Sequence, residues 1–234
     1  MIMRQITVFP MGAGAAVEFA ARALQMRGVA IAASLTEDVS HVLLDVPTKN
    51  ADLSGVAPGT TIVGGHLDSI PESFSKVDLL RQEQYLAENA ALTADCALRL
   101  LGQHLPVAFS GCPILVIGWG RIGKCLANML KMLGADVAVA ARKPADLGML
   151  SALGYKSVEI GSIDPNRYRA ILNTAPAPVL GLGGSCVKID LASSLGMAGE
   201  DVIWARGLPG KMLPESSGEL IARGVLRHWK EGIK

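Results

Sequence analysis

The stretch ILVIGWGRIG, residues 114–123, decides the fold of the second half of the chain. An apolar run leads into Gly118, Gly120 and Gly123, which have the GxGxxG spacing, and a helical pattern follows up to Gly134. A strand, a glycine turn and a helix in this order are typical of a Rossmann unit that binds a dinucleotide. The first glycine permits a tight turn, the second lets the backbone approach a pyrophosphate, and the third lets the helix pack against the strand. The alternative is a tight strand–helix turn that binds no ligand.

Three further residues of this turn are predicted to contact the cofactor: Trp119, Arg121 and Ile122. Trp119 either covers the pyrophosphate or packs against the protein. Arg121 begins the helix, where a cation opposes the helix dipole unless an anion is bound nearby. Arg121 therefore favours a bound phosphate, and the helix N-terminus adds N–H donors for it.

The second strand of the unit is predicted to end in Ala141, Arg142 and Lys143, about 20 residues beyond Gly123. This position normally carries an acidic residue that binds the ribose 2′-hydroxyl of NAD. Asp136 comes too early, at the start of the strand. A guanidinium and an ammonium attract a 2′-phosphate that a carboxylate would repel. We therefore expect the site to prefer NADP over NAD, and the alternative is an ordinary charged loop in solvent.

Strand and helix patterns alternate along the chain, which predicts an α/β protein with two lobes. A smaller N-terminal α/β lobe is expected over residues 1–88, with strands in QITVF (5–9), VAIAASL (29–35), HVLLDVP (41–47) and TTIVGG (60–65). Residues 75–103 have no proline and no glycine before Gly102, which favours helix. A Rossmann domain with a doubly wound parallel sheet is expected over 89–212, and a closing helix over 213–234 is expected to complete the first lobe. Substrate is then expected in the cleft between the lobes.

Later strands of the Rossmann unit are predicted in AILNTAP (170–176), CVKIDLA (186–192) and VIWAR (202–206). Loops at the carboxyl ends of such strands meet the cofactor. We therefore expect cofactor contacts from four residues at the carboxyl ends of these strands: Asn173, Thr174, Ala175 and Ser193.

Composition excludes several classes of function. The formal net charge is +1, so neither nucleic acid nor an anionic membrane is an expected partner. No apolar run approaches the ~18 residues of a membrane span, and the N-terminal stretch is not the pattern of a signal peptide. The four cysteines and four histidines are scattered without metal-ligand spacing, so no metal site is predicted and a cytoplasmic protein with free thiols is expected.

Several stretches resemble the A subunit of bacterial dipicolinate synthase. They are GWGRIGKCLANMLKMLGADVAVAAR (118–142), ILNTAPAPVL (171–180), KIDLASSLGM (188–197) and GLPGKMLPESSGELIA (207–222). Order and spacing match that family from about residue 85 onward. The resemblance implies a two-lobed NAD(P)-dependent oxidoreductase that oxidises a dihydrodipicolinate-type cyclic imine to pyridine-2,6-dicarboxylate in spore formers. It also implies two partners, a dicarboxylate substrate and a flavoprotein-like B subunit; a homodimer stays open.

The family's motif between the lobes corresponds here to NAALTADC, residues 89–96. Asn89, Thr93 and Ala94 match the family, whereas Leu92, Asp95 and Cys96 replace proline, glutamate and glycine. If the segment is helical, Asn89 and Thr93 share one stripe and are expected to bind substrate or nicotinamide. Asp95 is a third catalytic candidate, which reaches the same site as Thr93 only if the helix begins near residue 92. The alternative is that Asp95 stabilises a helix start.

Two further residues are candidates for the chemistry. Lys211, in GLPGK, is expected to bind a substrate carboxylate, with Arg206 close by in sequence; the alternative is a loop lysine in solvent. His66 follows a glycine pair at the end of a predicted strand, where it could transfer a proton; the alternative is a surface-loop histidine. Hydride transfer itself needs mainly alignment of the substrate with the nicotinamide.

Two other functions stay open at this point. One is a dehydrogenase acting on a 2-hydroxy acid or a shikimate-like acid, although the acid–base residues of those enzymes are not apparent. The other is a non-catalytic dinucleotide-binding subunit that senses redox state or supports a partner.

Overall fold

The computed structural model describes residues 6–176 and 181–231. The chain forms two compact units, one of residues 1–89 together with 209–234 and one of residues 90–208. The sequence prediction divides the chain after residues 88 and 212. Parts of three predicted segments lie outside the described residues: Gln5 of the first strand, residues 177–180 of the stretch ILNTAPAPVL, and residues 232–234 of the closing helix.

The first unit contains a five-stranded, all-parallel sheet in the order β2-β1-β3-β4-β5. Its strands are β1 (Thr7–Pro10), β2 (Ala30–Ile31), β3 (His41–Leu43), β4 (Thr61–Gly64) and β5 (Ser75–Asp78). This is the flavodoxin-like strand order, in which the chain reverses direction across the sheet between β1 and β3. Its core is built from aliphatic side chains of β3, β4 and the loops around them, such as Val42, Leu44 and Ile62.

The helices of the chain are α1 (Ala15–Gln25), α2 (Glu83–His104), α3 (Arg121–Met132), α4 (Pro144–Ala152), α5 (Leu208–Met212) and α6 (Pro214–Glu231). In the first unit, α6 packs closely on α1. A Cβ on Gly218 of α6 would lie 2.4 Å from the Cβ of Phe19 and 2.7 Å from the carbonyl oxygen of Ala16. Only glycine permits this close approach of the two helix backbones, so the C-terminal helix is part of the same unit as the first strands.

The second unit contains a six-stranded, all-parallel sheet in the order β11-β10-β9-β6-β7-β8. Its strands are β6 (Pro113–Ile117), β7 (Asp136–Ala141), β8 (Lys156–Glu159), β9 (Ala170–Asn173), β10 (Val187–Asp190) and β11 (Val202–Trp204). Counted from β6, this is the 3-2-1-4-5-6 order of the Rossmann fold. The predicted α/β fold class, with parallel sheets in both units, is confirmed.

The prediction of helix over residues 75–103 is wrong for its first eight residues. Residues 75–78 form the edge strand β5, residues 79–81 form a single 3₁₀ turn, and α2 begins only at Glu83. The Asp78 carboxylate accepts a hydrogen bond from the Leu80 N–H and so directs the backbone into the turn. Absence of proline and glycine removes helix breakers, but it does not outweigh pairing with β4.

Strand β8 was not predicted, because most of its side chains are exposed and it has no apolar run.

Strand β10 contains Lys188, which is buried in spite of its charge. Its ammonium group donates to the Asp201 carboxylate at 2.5 Å and to the Gly184 carbonyl at 2.8 Å, so the buried charge is paired.

No helix of residues 6–176 and 181–231 is long and apolar enough to span a membrane.

Candidate dinucleotide site

The glycine turn lies at the point where the strand order of the second sheet reverses. Strand β6 pairs with β7 on one side and with β9 on the other, and the chain turns in opposite directions after β6 and after β9. In folds of this type, dinucleotides bind at the carboxyl ends of the strands at such a reversal point. Gly118 follows β6, and Thr174 follows β9.

Two of the three glycines are required by the protein's own packing. Gly118 has φ of 102°, and a Cβ there would lie 2.7 Å from the Thr174 hydroxyl. A Cβ on Gly123 would lie 2.1 Å from the Gly118 carbonyl oxygen. The first glycine therefore permits the turn and the third permits close packing of α3, as the sequence predicts.

Gly120 differs from both of these glycines, because a Cβ there would meet no protein atom within 4 Å. Its φ of −80° is open to any residue. Gly120 is the residue before α3, and the first turn of α3 has no acidic side chain. Open space beside a helix N-terminus without a carboxylate is what a pyrophosphate requires. The protein's own packing therefore does not require glycine at this position.

Arg142 and Lys143 follow β7 directly and are both exposed. Lys143 is the residue before α4, and Ala141 is buried at the strand end. Asp136 lies at the opposite end of β7 and pairs with Lys156 at 2.6 Å. On the neighbouring strand β8, the last residue, Glu159, pairs with Ala141 and therefore brings a carboxylate beside the end of β7. The end of β7 itself thus carries two cations and no acidic residue.

Asn173 does not offer its side chain to a ligand. It is completely buried; its Nδ2 donates to the Asp190 carboxylate and the Ala175 carbonyl, both at 3.0 Å, and its Oδ1 accepts from the Ala175 N–H. The predicted cofactor contact is therefore corrected: the Asn173 amide holds the loop after β9. The partner of the amide lies 17 residues further along the chain, and so it was missed in the sequence.

Asp190, at the end of β10, is the centre of this network. Its carboxylate is completely buried and accepts hydrogen bonds from the backbone N–H groups of Ala192, Gly196 and Met197 as well as from Asn173. The network joins the loop after β9 to the loop after β10. Both loops lie at the carboxyl ends of the strands, and Asp190 sets their shape.

The remaining predicted contacts lie on these two loops. The Thr174 N–H and hydroxyl both donate to the Ile117 carbonyl, at 2.8 and 2.9 Å, which holds Thr174 against the glycine turn. Ala175 follows it with its backbone tied to Asn173. Ser193 is exposed on the loop after β10. The structure therefore brings Gly118, Thr174 and Ala175 together.

Trp119, in the glycine turn, packs against protein side chains. Its ring meets the ring of Tyr155 edge-on at 5.5 Å between centroids, and the Lys124 ammonium lies 5.8 Å from its centroid. The predicted neighbours Arg121 and Ile122 form the first two residues of α3, Arg121 being exposed and Ile122 half-buried.

The residues of the motif NAALTADC all lie inside α2, which begins before them, at Glu83. Asn89 is half-buried and Thr93 is buried on this helix. Because α2 begins at Glu83 and not near residue 92, Asp95 does not share a helix stripe with Thr93, which corrects the prediction that both serve one site. It does not stabilise the helix start either, and instead accepts from the Arg99 guanidinium at 3.1 Å, one turn later. Cys96 is fully buried, and burial raises the pKa of its thiol to about 11.

Two predicted catalytic residues belong to the first unit. His66 is exposed, has φ of 59°, and donates its backbone N–H to Asp78 at 3.2 Å. Lys211 is exposed on the short helix α5 rather than in a loop. Arg206, in the second unit, lies with its guanidinium 5.3 Å from the centroid of the Trp204 ring.

The first unit also contains a glycine turn, which the sequence pattern did not predict as a site. Residues 11–14, MGAG, connect β1 to α1 at the reversal point of the first sheet. There the Asp45 carboxylate accepts from the N–H groups of Ala13 at 3.1 Å and Gly14 at 2.9 Å. The protein's own carboxylate thus lies where an anion would approach, and of these two turns only the one in the second unit is open to a phosphate.

The residues of the second unit therefore fit a dinucleotide. The backbone of Gly118–Gly123 and the start of α3 would hold its pyrophosphate, and the end of β7 would hold the adenosine ribose. Among residues 6–176 and 181–231, no group of three or more His, Cys, Asp or Glu side chains could hold a metal ion.

Comparison with known proteins agrees with this geometry. No protein-family model matches the chain. It is 26% identical over 162 residues to the A subunit of dipicolinate synthase from Bacillus subtilis (strain 168), and the match covers 62% of this chain. It spans 54% of that protein, about half the length of this curated relative.

The fold extends the similarity over the whole chain. The crystal structure of the dipicolinate synthase A subunit from Bacillus halodurans matches with a TM-score of 0.82 at 20% identity, over 97% of this chain and 98% of that one. The apo-structure of D-lactate dehydrogenase from Escherichia coli matches with a TM-score of 0.61 at 11% identity, over 97% of each chain. The chain thus shares its fold with these two structures, and the resemblance to the dipicolinate synthase A subunit seen in its sequence is confirmed.

Proposed function

We propose that the protein is an oxidoreductase that prefers NADP and oxidises a cyclic dicarboxylate resembling dihydrodipicolinate. One observation carries the proposal: the open glycine turn lies at the reversal point of the second sheet, and the next strand, β7, is followed directly by Arg142 and Lys143. A nicotinamide dinucleotide held by the Gly118–Gly123 turn and the end of β7 would supply the hydride acceptor for this oxidation, with the accompanying proton released to solvent.

The cofactor preference is argued from charge at the end of β7. Arg142 and Lys143 are exposed and pair with no carboxylate of the described residues, so both remain available to an anion. Arg142 can form two parallel hydrogen bonds to a phosphate, and Lys143 adds a point charge. A 2′-phosphate is the anion that distinguishes NADP from NAD at this position.

The substrate class rests on the similarity to the dipicolinate synthase A subunit. Oxidation of a dihydropyridine ring produces an aromatic ring, so the step needs orientation of the substrate more than a strong base. A dicarboxylate needs cationic partners, and Lys211 with Arg206 are the residues proposed for that role. A flavoprotein-like B subunit is the partner proposed from the same similarity.

The first experiment is calorimetric titration with NADP, NAD and their reduced forms. We expect NADP to bind at least about tenfold more tightly than NAD, since a paired phosphate is worth ~1.4 kcal/mol or more. Replacing Arg142→Asp together with Lys143→Ser should reverse that preference. Arg167→Asp, an exposed arginine away from this strand end, is the matched control and should change neither affinity.

Equal affinities for NADP and NAD in the native protein would refute the preference, and no binding of either would refute the dinucleotide site. The substrate is tested separately, by following reduction of NADP with freshly prepared dihydrodipicolinate. Lys211→Met should raise KM for the substrate without changing NADP affinity. NADP binding without turnover, alone or with the B subunit, would instead support a non-catalytic dinucleotide-binding subunit.

A further inference from the structure

A groove lies against α3 and α4 in the second unit, and one of its lining residues, Trp119, belongs to the glycine turn. It encloses about 780 Å³ and is lined by Trp119, Lys124, Asn128, Lys131, Met132, Met149, Leu153 and Tyr155. We call it the α3–α4 groove. Apart from Trp119, none of these side chains has a role in the proposed oxidoreductase chemistry.

The walls of the groove are apolar and exposed. Met132 is 72% exposed, Met149 is 54% exposed and Leu153 is 52% exposed. Adjacent Leu133, at the end of α3, is also exposed. Single exposed apolar side chains are ordinary, but several that line one concave surface indicate a binding site. Methionine is suited to such a surface because its flexible side chain adapts to a partner.

The charges of the groove have one sign. Lys124, Asn128 and Lys131 lie four and three residues apart on α3, so they form one stripe along the groove. No carboxylate lines the groove, and neither lysine pairs with a carboxylate of the described residues. Lys131 donates to the Leu153 and Gly154 carbonyls and lies 4.5 Å from the centroid of the Tyr155 ring.

The spacing of the two lysines matches a helical ligand. Seven residues of α-helix rise about 10.5 Å, so the Lys124 and Lys131 backbones are two turns apart. Two carboxylates seven residues apart on a second helix have the same separation and lie on the same stripe. An apolar stripe beside those carboxylates would meet Met132, Met149 and Leu153.

We propose that the α3–α4 groove binds an acidic amphipathic helix of a partner protein. Leu or Met side chains of that helix fill the apolar floor, and Glu or Asp side chains seven residues apart face Lys124 and Lys131. A second copy of this chain is disfavoured as the occupant, because a two-fold contact at the groove would bring four lysines together.

The test uses the whole protein and two synthetic peptides of about 18 residues, five helical turns. Both have leucine at i, i+3, i+4 and i+7; one has glutamate on the flanking positions and the other has lysine in their place. We expect the glutamate peptide to bind at least about tenfold more tightly by calorimetry at low ionic strength, and to change the fluorescence of Trp119.

Variants of the groove should then reverse the selectivity. Lys124→Glu with Lys131→Glu should favour the lysine peptide, and Met149→Asp should weaken both peptides. Arg167→Glu with Arg169→Glu is the matched control, because both arginines are exposed and lie outside the groove. Thermal unfolding of each variant identifies any that fail to fold, and those are replaced by Lys124→Gln with Lys131→Gln, for which loss of selectivity is expected.

Three outcomes would overturn the proposal. The two peptides could bind equally well, or the lysine reversals could leave binding unchanged. Alternatively, sedimentation could show a dimer that Met149→Asp converts to monomer, which would assign the groove to a second copy of the chain.

Discussion

The two units each join a first strand to a helix through a glycine turn, yet only one turn is open. In the first unit, a Cβ on Gly14 would lie 2.6 Å from the Asp45 carboxylate, which accepts hydrogen bonds from the turn. In the second unit, a Cβ on Gly120 would meet no protein atom within 4 Å. The difference lies in a carboxylate from the neighbouring strand end, which the first unit has and the second lacks.

This contrast shows what a glycine turn needs in order to bind a phosphate. Closely spaced glycines make the backbone N–H groups accessible, but a carboxylate of the protein competes for the same donors and repels an incoming anion. The turn in the first unit therefore acts in folding, where Asp45 joins the loops after β1 and β3. No carboxylate of the described residues lies within 4 Å of a Cβ on Gly120 in the second turn.

The largest effect is expected from the buried carboxylate of the second unit. Asp190→Ala leaves three backbone N–H groups and the Asn173 amide without their acceptor, which should lower the free energy of unfolding by about 3–5 kcal/mol. Because the loop after β9 loses its shape, affinity for NADP should also fall by at least about tenfold in the molecules that remain folded. Urea unfolding and calorimetry measure the two quantities.

Asp78 supplies the control in the other unit. Its carboxylate accepts from the N–H groups of His66, Leu67 and Leu80, so it holds loops in the same manner. Asp78→Ala should therefore destabilise the protein while leaving NADP affinity unchanged. An equal loss of affinity in both variants would show that general destabilisation, and not loop shape, governs cofactor binding.

A pair of glycine substitutions separates the two turns directly. Gly120→Ala has space for its methyl group in the free protein, so stability should stay within about 0.5 kcal/mol, whereas NADP affinity should fall about 10- to 100-fold. Gly14→Ala places a methyl group against Asp45 and should cost about 1–3 kcal/mol of stability with affinity unchanged. The comparison fails if Gly120→Ala destabilises the protein or binds NADP normally.

A smaller loss is expected when the carboxylate of the first turn is removed. Asp45→Ala deprives the Ala13 and Gly14 N–H groups of their acceptor at a solvent-accessible helix start, which should cost about 1 kcal/mol. NADP affinity should stay as in the native protein. Tighter binding of a second NADP by this variant would mean that Asp45 alone keeps the first turn closed to dinucleotides.

Local sequence predicts the parts of this molecule that depend on neighbouring residues. The turn at Gly118–Gly123 and the ends of α3 and β7 follow from residues within one βαβ unit. Asn173 could not be assigned in the same way, because its partner Asp190 lies on another strand. For the same reason, the sequence around Gly14 does not predict that Asp45, 31 residues away, accepts a hydrogen bond from its N–H group.

Edge strands are the other gap between sequence and structure. Strands β5 and β8 both lie at the edge of a sheet and have charged side chains, so neither has the apolar run that predicts a strand. Lysine and other charges on an edge protect it from pairing with other chains. The sequence features that protect these edges also hide them from prediction by hydrophobic pattern.

The smallest predicted effect is a pH dependence that belongs to the first unit. His41 is half-buried between the Ser40 hydroxyl, 2.9 Å from its Nδ1, and the Trp229 ring, 5.1 Å between centroids. Burial, with a smaller contribution from the charge of His228, lowers the pKa of His41 below its ordinary 6.5. The unfolded chain therefore binds more protons below that pH, so stability present above about pH 6.5 should be lost as pH falls through the lowered pKa. Because the His41 side chain is only partly buried, solvent screening keeps this loss small.

Urea unfolding at about pH 7.5 and 5.5, followed by tryptophan fluorescence, measures this loss. It should appear in the native protein and be smaller in His41→Gln, because glutamine binds no proton in this range. In the second unit the one histidine of the described residues, His104, is exposed, and His104→Gln should leave the pH dependence unchanged. If His104→Gln removed it instead, the sensitivity to acid would belong to the second unit.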